Sequence, residues 1–284
     1  MARDESYPPA PEALPVAIYD NHTHLDDSYG AVYIDYREQL ESAAEVGVVG
    51  VVQVGTDLQS SIWSAEVAAD EARMLAAVAI HPNEAPRLEA DGTLDEALAK
   101  IDELASWPRT RAIGETGLDY FRTDAEGQPA QHRSFEAHIE IAKKHGIAMQ
   151  IHDRDAHDDV IETLLRVGAP AKTVFHCFSG DAAMARIAAD NGWYLSFAGP
   201  VTFKANEHLR EALRVIPREL ILAETDAPFL TPHPHRGRPN APYMTPYTVR
   251  GMAEYLEADL GDLCAQIGMN SEAVYGSWAD GLID

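Results

Sequence analysis

Short apolar runs rich in valine and isoleucine alternate along this chain with stretches whose apolar residues recur every three to four positions. That alternation is the pattern of repeated strand–helix units and a parallel sheet. Eight units can be counted, with predicted strands at Val16–Asp20, Val48–Val54, Met74–Ile80, Thr110–Ile113, Ile147–Ile151, Lys172–Phe175, Trp193–Phe197 and Leu220–Ala223. Helical spacing fills the intervals, for example at Arg37–Val46, Leu58–Asp70, Leu94–Ala105, Gln131–His145 and Ala182–Asp190. Gly47, Gly146 and Gly192 each stand between a helix and the next strand, where a left-handed cap is expected. Eight units in succession predict an α/β protein, a TIM-like (β/α)8 barrel with its active site at the C-terminal ends of the strands. Three loops on that face, 116–130, 198–206 and 231–243, stand apart, and long loops there usually hold substrate.

Composition narrows the picture. At 284 residues and 46% hydrophobic content, the chain suits one large core, and a single barrel domain is expected over 16–284. The first 15 residues, acidic and then proline-rich, read as a disordered leader without the basic and apolar stretches of a secretory signal. No apolar run approaches the about 20 residues of a membrane span, so a cytoplasmic protein with no membrane association is expected. Cys177 and Cys264 are the only cysteines, too few for a disulfide framework. The net charge of −24 opposes attraction to a polyanion and argues against coating or sliding along duplex DNA. Any nucleic-acid contact is therefore expected to be local.

Candidate metal ligands stand where predicted strands end: His22 and His24, Glu115, His152, His176 and Asp226. A lone histidine after an apolar run is ordinarily a hydrogen-bonded core residue, and Glu115 or Asp226 taken alone could cap a helix N-terminus. Five strand ends agreeing are harder to explain that way, because a barrel gathers those ends around one pocket. His22 and His24 are two apart, so in an extended segment both imidazoles point the same way. Gly114 and Gly117 flank Glu115 and are expected to turn the backbone tightly there. A carboxylate has two oxygens and can bridge two cations. The mixed set of imidazoles and carboxylates specifies a divalent cation without naming it, Mg, Mn or Zn among the choices.

Taken together, His22-x-His24, Gly114-Glu115-x-Gly-Leu-Asp119, Gln150-Ile-His152-x-Arg154, His176-Cys-Phe-Ser-Gly180, Glu224-Thr-Asp226-x-Pro228 and Arg236-Gly-x-x-Asn240 resemble the TatD family of metal-dependent deoxyribonucleases in the amidohydrolase superfamily. The resemblance runs from about Ala17 to the last helices. It implies a distorted TIM barrel with two divalent ions, one held by His22, His24, Glu115 and Asp226, the other by Glu115, His152 and His176. It further implies hydrolysis of phosphodiesters from the 3′ end of single-stranded or damaged DNA. One departure is visible: where the family has His-Pro-His after the third strand, this chain has His81-Pro82-Asn83. His81 is a candidate for binding phosphate or the leaving group, and Asn83 puts any step assigned to the second histidine in doubt.

The expected chemistry follows from charge. Two cations about 3.5–4 Å apart hold the phosphate and generate an attacking metal-bound hydroxide. Asp226 is assigned as general base and Glu224 as an orienting neighbour. Arg154 and Arg236 are candidate phosphate clamps, since guanidinium offers paired donors, and Arg122 and Lys204 read more readily as surface charge. Tyr120, Phe121 and Phe203 are candidates to stack on a base or to pack against neighbouring loops. The expected partners are DNA ends or a small phosphodiester, with no stable protein partner evident. Two other readings share the residues. A different amidohydrolase activity, as a deacylase, lactonase or aminoacyl-tRNA deacylase, would use the same ligands, although no lysine stands near the fourth strand, where many such enzymes bridge their ions with a carboxylated lysine. A barrel that has lost catalysis and serves as a scaffold is the other.

Overall fold

The computed structural model describes residues 5–27 and 33–280. Its strands are β1 (Ile18–Thr23), β2 (Val48–Val54), β3 (Met74–Val78), β4 (Thr110–Asp119), β5 (Ala148–Arg154), β6 (Thr173–Phe175), β7 (Tyr194–Phe197) and β8 (Ile221–Ala223). Its helices are α1 (Tyr36–Glu45), α2 (Leu58–Asp70), α3 (Ala85–Ala90), α4 (Leu94–Leu104), α5 (Gln128–His145), α6 (His157–Val167), α7 (Ala182–Asp190), α8 (Glu207–Val215), α9 (Thr245–Tyr255) and α10 (Leu260–Tyr275). The strands follow one another as β1 to β8 in one eight-stranded sheet. The pairs β1–β2, β3–β4, β4–β5, β5–β6 and β7–β8 are all parallel. This is the strand order of a (β/α)8 barrel, as the alternation predicts. The three glycines expected to close helices all have positive φ, 89° at Gly47, 66° at Gly146 and 69° at Gly192.

Backbone contacts divide the chain into two compact units. One comprises the residues up to Gln53 together with Gly180–Ala273. Its core is built from Ile18 and Val51 of β1 and β2, Leu195 and Phe197 of β7, and Ile221 and Leu222 of β8, all buried. The leader belongs to this unit, and its expected disorder is corrected over Glu5–Pro15. The Arg238 guanidinium donates to the carbonyls of Ser6 and Tyr7 at 2.9 and 2.7 Å, Tyr243 Oη donates to Pro8 at 2.5 Å, and Arg250 donates to Glu12 and Ala13. Leu14 is buried, and its N–H donates to Val46. Prolines lower the entropy cost of fixing such a segment, so a handful of side-chain donors suffices. Residues 1–4 lie outside the described residues.

The other unit comprises Val54–Ser179 and the residues from Val274 onward. Leu75, Val78, Ile113, Met149, Ile151 and Phe175 from β3 to β6 pack with Phe135 and Ile139 of α5, all at or below 1% exposure. The buried Arg109 guanidinium donates to carbonyls of Ala68, Met74, Trp278 and Asp280, which tie α2, β3 and the C-terminal segment together. Without such acceptors a buried cation would be costly. Buried His138 of α5 accepts from the Ile80 N–H through Nε2 at 3.1 Å and bonds the Ser134 carbonyl through Nδ1 at 2.7 Å, fixing the exit of β3.

Four strands end at a different residue from the sequence expectation: β1 runs to Thr23 instead of Asp20, β3 stops at Val78 instead of Ile80, and β4 and β5 are both longer. β4 runs on to Asp119 instead of ending at Ile113, and β5 runs to Arg154 instead of Ile151. They pair on both sides of a register shift between Ile113 and Thr116, with Gly117 opposite His152 and Asp119 opposite Arg154. Gly117 is the reason: at φ +143° a Cβ there would lie 2.0 Å from the His152 carbonyl oxygen, so only glycine lets the strands meet. The glycines around Glu115 read as a turn from sequence, yet they carry the strand through the site.

Candidate metal centre

In the first unit, β1 and the segment after β8 are joined through the main chain. Asp226 N–H donates to the His22 carbonyl at 3.0 Å and His24 N–H to the Ala227 carbonyl at 2.7 Å, with Thr23 and Ala227 forming a parallel bridge. Polar side chains at full burial hold the same segment. Asp20 accepts from the Thr225 N–H at 2.9 Å and from its hydroxyl at 2.5 Å, and Asn21 donates to the Ala223 carbonyl at 2.8 Å. Asn240 donates to the carbonyls of Thr225 and Phe229 at 2.9 and 2.6 Å. Burial pushes the Asp20 carboxyl up to about 8, with the Thr225 bonds opposing and the Glu224 charge adding.

That scaffold brings three expected ligands together. His22 Nε2 and His24 Nε2 are 3.2 Å apart, and Asp226 Oδ1 lies 3.4 Å from His24 Nε2 and 3.8 Å from His22 Nε2. The two imidazoles meet edge to face, so both Nε2 atoms address one point, as their spacing predicts. Asp226 itself has positive φ, 54°, a conformation tolerated by aspartate more than by most residues. Glu224 is fully buried, with its N–H on the Phe197 carbonyl at 3.2 Å. Arg236 is exposed, and its guanidinium lies over the Phe203 ring, 4.5 Å from the centroid.

In the second unit the organisation is different. The Glu115 N–H reaches the Gly55 carbonyl at 3.3 Å, and the carboxylate is the hub of a side-chain network. Oε2 lies 2.7 Å from His176 Nε2 and 3.1 Å from His152 Nδ1, and Oε1 lies 3.8 Å from His81 Nε2. His152 Nε2 in turn faces Asp119 Oδ2 at 3.3 Å. Period-two geometry sets Glu115, Gly117 and Asp119 on one face of β4. In the sequence Asp119 stands only as part of the Gly114–Asp119 motif; its spacing of four from Glu115 is the signal, legible once the strand continues past Ile113.

Charge in this cluster is balanced locally. Burial alone would raise the Glu115 pKa, yet His176, His81 and His152 outweigh it and hold the carboxyl well below the ordinary range. Asp119 is likewise lowered: burial opposes, while bonds from His152, the Arg122 N–H and the Asn83 amide prevail. For His152 burial also works against charge, but Asp119 and Glu115 raise its pKa. His81 goes the other way, down to about 3, because burial exceeds the pull of Glu115. Arg154 stacks on Phe121, 3.9 Å from the ring centroid, and Phe121 is 62% exposed.

The donor sets fit divalent cations. Each unit converges imidazole nitrogens and carboxylate oxygens within 2.7–3.8 Å of one another, and such lone-pair-bearing groups share a point comfortably only around protons or a cation. His81, Glu115 and His152 also offer ligand atoms within 4.8 Å. A groove of about 710 Å³ lies elsewhere, lined by Ile62, Leu88, Ala97 and Lys100 among others, and carries none of the candidate ligands.

Comparison with known proteins agrees with this donor chemistry. Residues 19–276 match the profile of the TatD related DNase family. The chain is 44% identical over 262 residues, 90% of its length and 97% of the relative's, to an uncharacterized metal-dependent hydrolase, TatD, of Mycobacterium tuberculosis. Among solved structures it is similar to YjjV, a TatD homolog of Escherichia coli, at TM-score 0.80 and 23% identity over 91% of this chain and 97% of that one. The Escherichia coli phosphotriesterase homology protein, solved with phosphate in its active site, shares the fold at TM-score 0.61 and 12% identity, covering 92% of this chain and 99% of that one. Among the described residues no helix is long and apolar enough to cross a membrane. The chain belongs to the TatD related DNase family and is a metal-dependent hydrolase of that family.

Proposed function

We propose that this protein hydrolyses phosphodiester bonds at single-stranded DNA ends, releasing nucleotides from the 3′ side, with two divalent cations as cofactors. His152, His176 and Glu115 would hold one cation, and His22, His24 and Asp226 the other, Glu115 being the shared ligand implied by the family resemblance. The observation that carries the reading is the placement of two imidazoles on a single Glu115 oxygen, Oε2, at 2.7 and 3.1 Å. Oε1, 3.8 Å from His81 Nε2, is the oxygen assigned to the second cation. Bound divalent ions would supply charge that neutralises the phosphate oxygens and lowers the pKa of water.

The chain's own groups supply the rest. Asp226 faces the imidazoles through Oδ1, and Oδ2 is the atom assigned to take a proton from the attacking water. Buried Glu224 orients its neighbours. Arg154 and Arg236 are assigned to the phosphates, and His81 to the phosphate or the leaving group. Each arginine lies over a phenyl ring, which restrains the guanidinium while its N–H edge addresses an anion. Phe121, open to solvent, offers a surface on which an unpaired base can stack. Stacked, paired bases of a duplex have no such face to give, and the net charge of −24 disfavours long polyanions. Both points favour frayed or single-stranded ends. Phosphate bound by the phosphotriesterase homology protein supports the same ligand chemistry on this fold.

Digestion of labelled single-stranded, duplex and 3′-overhang oligonucleotides with Mg, Mn or Zn, and with chelator as control, tests the proposal. Nucleotides released stepwise from single-stranded 3′ ends, only when a divalent ion is present, are expected. Intact oligonucleotides beside hydrolysed lactone or aminoacyl-tRNA would overturn it in favour of another amidohydrolase reaction, which the same donor set can serve.

A further inference from the structure

Asn83, the residue that departs from the family pattern, bonds two histidines of the site, one directly and one through Asp119. Its backbone N–H donates to His81 Nδ1 at 3.0 Å. A nitrogen that accepts cannot carry a proton, so His81 is neutral, with its proton on Nε2. It therefore turns an N–H, and no lone pair, toward Glu115 Oε1 at 3.8 Å. The Asn83 side-chain amide donates to Asp119 Oδ2 at 3.1 Å, the oxygen that faces His152 Nε2 at 3.3 Å. A carboxylate only accepts, and both His152 nitrogens face one, Nε2 toward Asp119 and Nδ1 toward Glu115 Oε2 at 3.1 Å, so each carries a proton until a cation on the Glu115 side takes the place of the one on Nδ1.

The arrangement closes on itself. Asp119 Oδ1 accepts from the Arg122 N–H at 2.9 Å, Asn83 Oδ1 accepts from the Thr123 hydroxyl at 3.3 Å, and Gln131 links the Thr123 hydroxyl to the Asp119 N–H at 2.8 and 3.0 Å. We propose that Asn83 and Asp119 are positioning residues: Asp119, held by the Asn83 amide, keeps the Nε2 proton of His152 so that Nδ1 is the nitrogen that turns to a cation, and the Asn83 N–H makes His81 an N–H donor toward substrate. Asn83 thus does not vacate a role at this position: its amide and backbone donors set which nitrogen of each histidine is available. The inference rests on the metal-holding role proposed above, because the value of an Nε2 proton held by Asp119 lies in ligation through the other nitrogen.

The Asp119→Asn variant tests it. The Arg122 N–H belongs to the main chain and cannot turn away, so the new amide keeps its oxygen there and offers its NH2 to His152, forcing Nε2 to accept. With histidine-selective ¹⁵N labelling of the full chain, a protected His152 Nε2–H signal is expected in the parent, with or without zinc, and is expected to vanish in D119N. Zinc affinity by calorimetry should fall about 10–100-fold, with an unaltered far-ultraviolet spectrum. Asn83→Ala keeps the carboxylate and should lower zinc affinity by less than about tenfold. Asp102→Asn, in the outer pair with Lys144 and His145, should leave both readouts at parental values. A retained Nε2–H signal or an unchanged zinc affinity in D119N overturns the relay. A parent that binds no zinc would instead defeat the proposed function, and the NMR signal alone would then decide the relay.

Discussion

The two units place ligands by opposite means. His22, His24 and Asp226 are held mainly by main-chain bonds between β1 and the segment after β8, braced by fully buried Asp20, Asn21 and Asn240. Glu115, His152 and His176 also have main-chain bonds, but their carboxylate and ring atoms are joined to each other and to Asp119 and Asn83, side chain to side chain. A backbone-built cluster keeps its geometry when one ligand is changed, since the main-chain bonds do not depend on side-chain charge. A cluster of mutually bonded side chains behaves as a unit, so one substitution alters the protonation and direction of several groups. The first cluster should therefore fail locally and the second collectively.

The largest expected effect tests the collective side. Glu115→Gln removes the charge that faces His176, His152 and His81, and should cost both divalent binding and hydrolysis, by more than the about 10–100-fold assigned to an outer partner. Calorimetry and a phosphodiester reporter check it. Asp226→Asn should lower kcat by about 10²–10⁴ while the protein melts normally; parental turnover would remove Asp226 from the mechanism. Acid sensitivity comes next. Burial lowers His138 from 6.5 to about 4 in the folded state, so the unfolded chain binds the extra proton between these values. The contribution is fully present above about pH 6.5 and is lost as pH falls toward 4, at most about 3 kcal/mol. Urea midpoints compared across that range should show a shallower slope for His138→Gln than for the parent; equal slopes would refute the assignment. The smallest effect belongs to the main-chain side: Asn240→Ala leaves the carbonyls of Thr225 and Phe229 without two donors, costing about 1–3 kcal/mol, readable as a lowered thermal midpoint.

What the sequence disclosed and what it withheld divide along the same line. The strand–helix alternation, the glycine caps at 47, 146 and 192, and the shared direction of His22 and His24 depend on neighbours in the chain, and local patterning captures them. The extensions of β4 and β5 depend on Gly117 meeting the His152 carbonyl, a contact that local spacing does not encode. The leader reads as disordered because its prolines and acids form no periodic pattern; its order comes from Arg238, Tyr243 and Arg250, more than 200 residues away. Asn83 reads as a lost histidine, and only its bonds to His81 and Asp119 show what the amide does there. Asp119 is part of a sequence motif, but its partnership with His152 depends on both strands running to full length.

The central claim is that these converging imidazoles and carboxylates hold divalent cations for hydrolysis. The most direct measurement is the metal content of the full chain, stripped with chelator, dialysed against Zn, Mn or Mg and analysed by mass spectrometry. Uptake of two divalent ions per chain, together with recovery of phosphodiester hydrolysis on their return, is the predicted result. A folded chain that takes up none, and whose activity is indifferent to chelator, would contradict it.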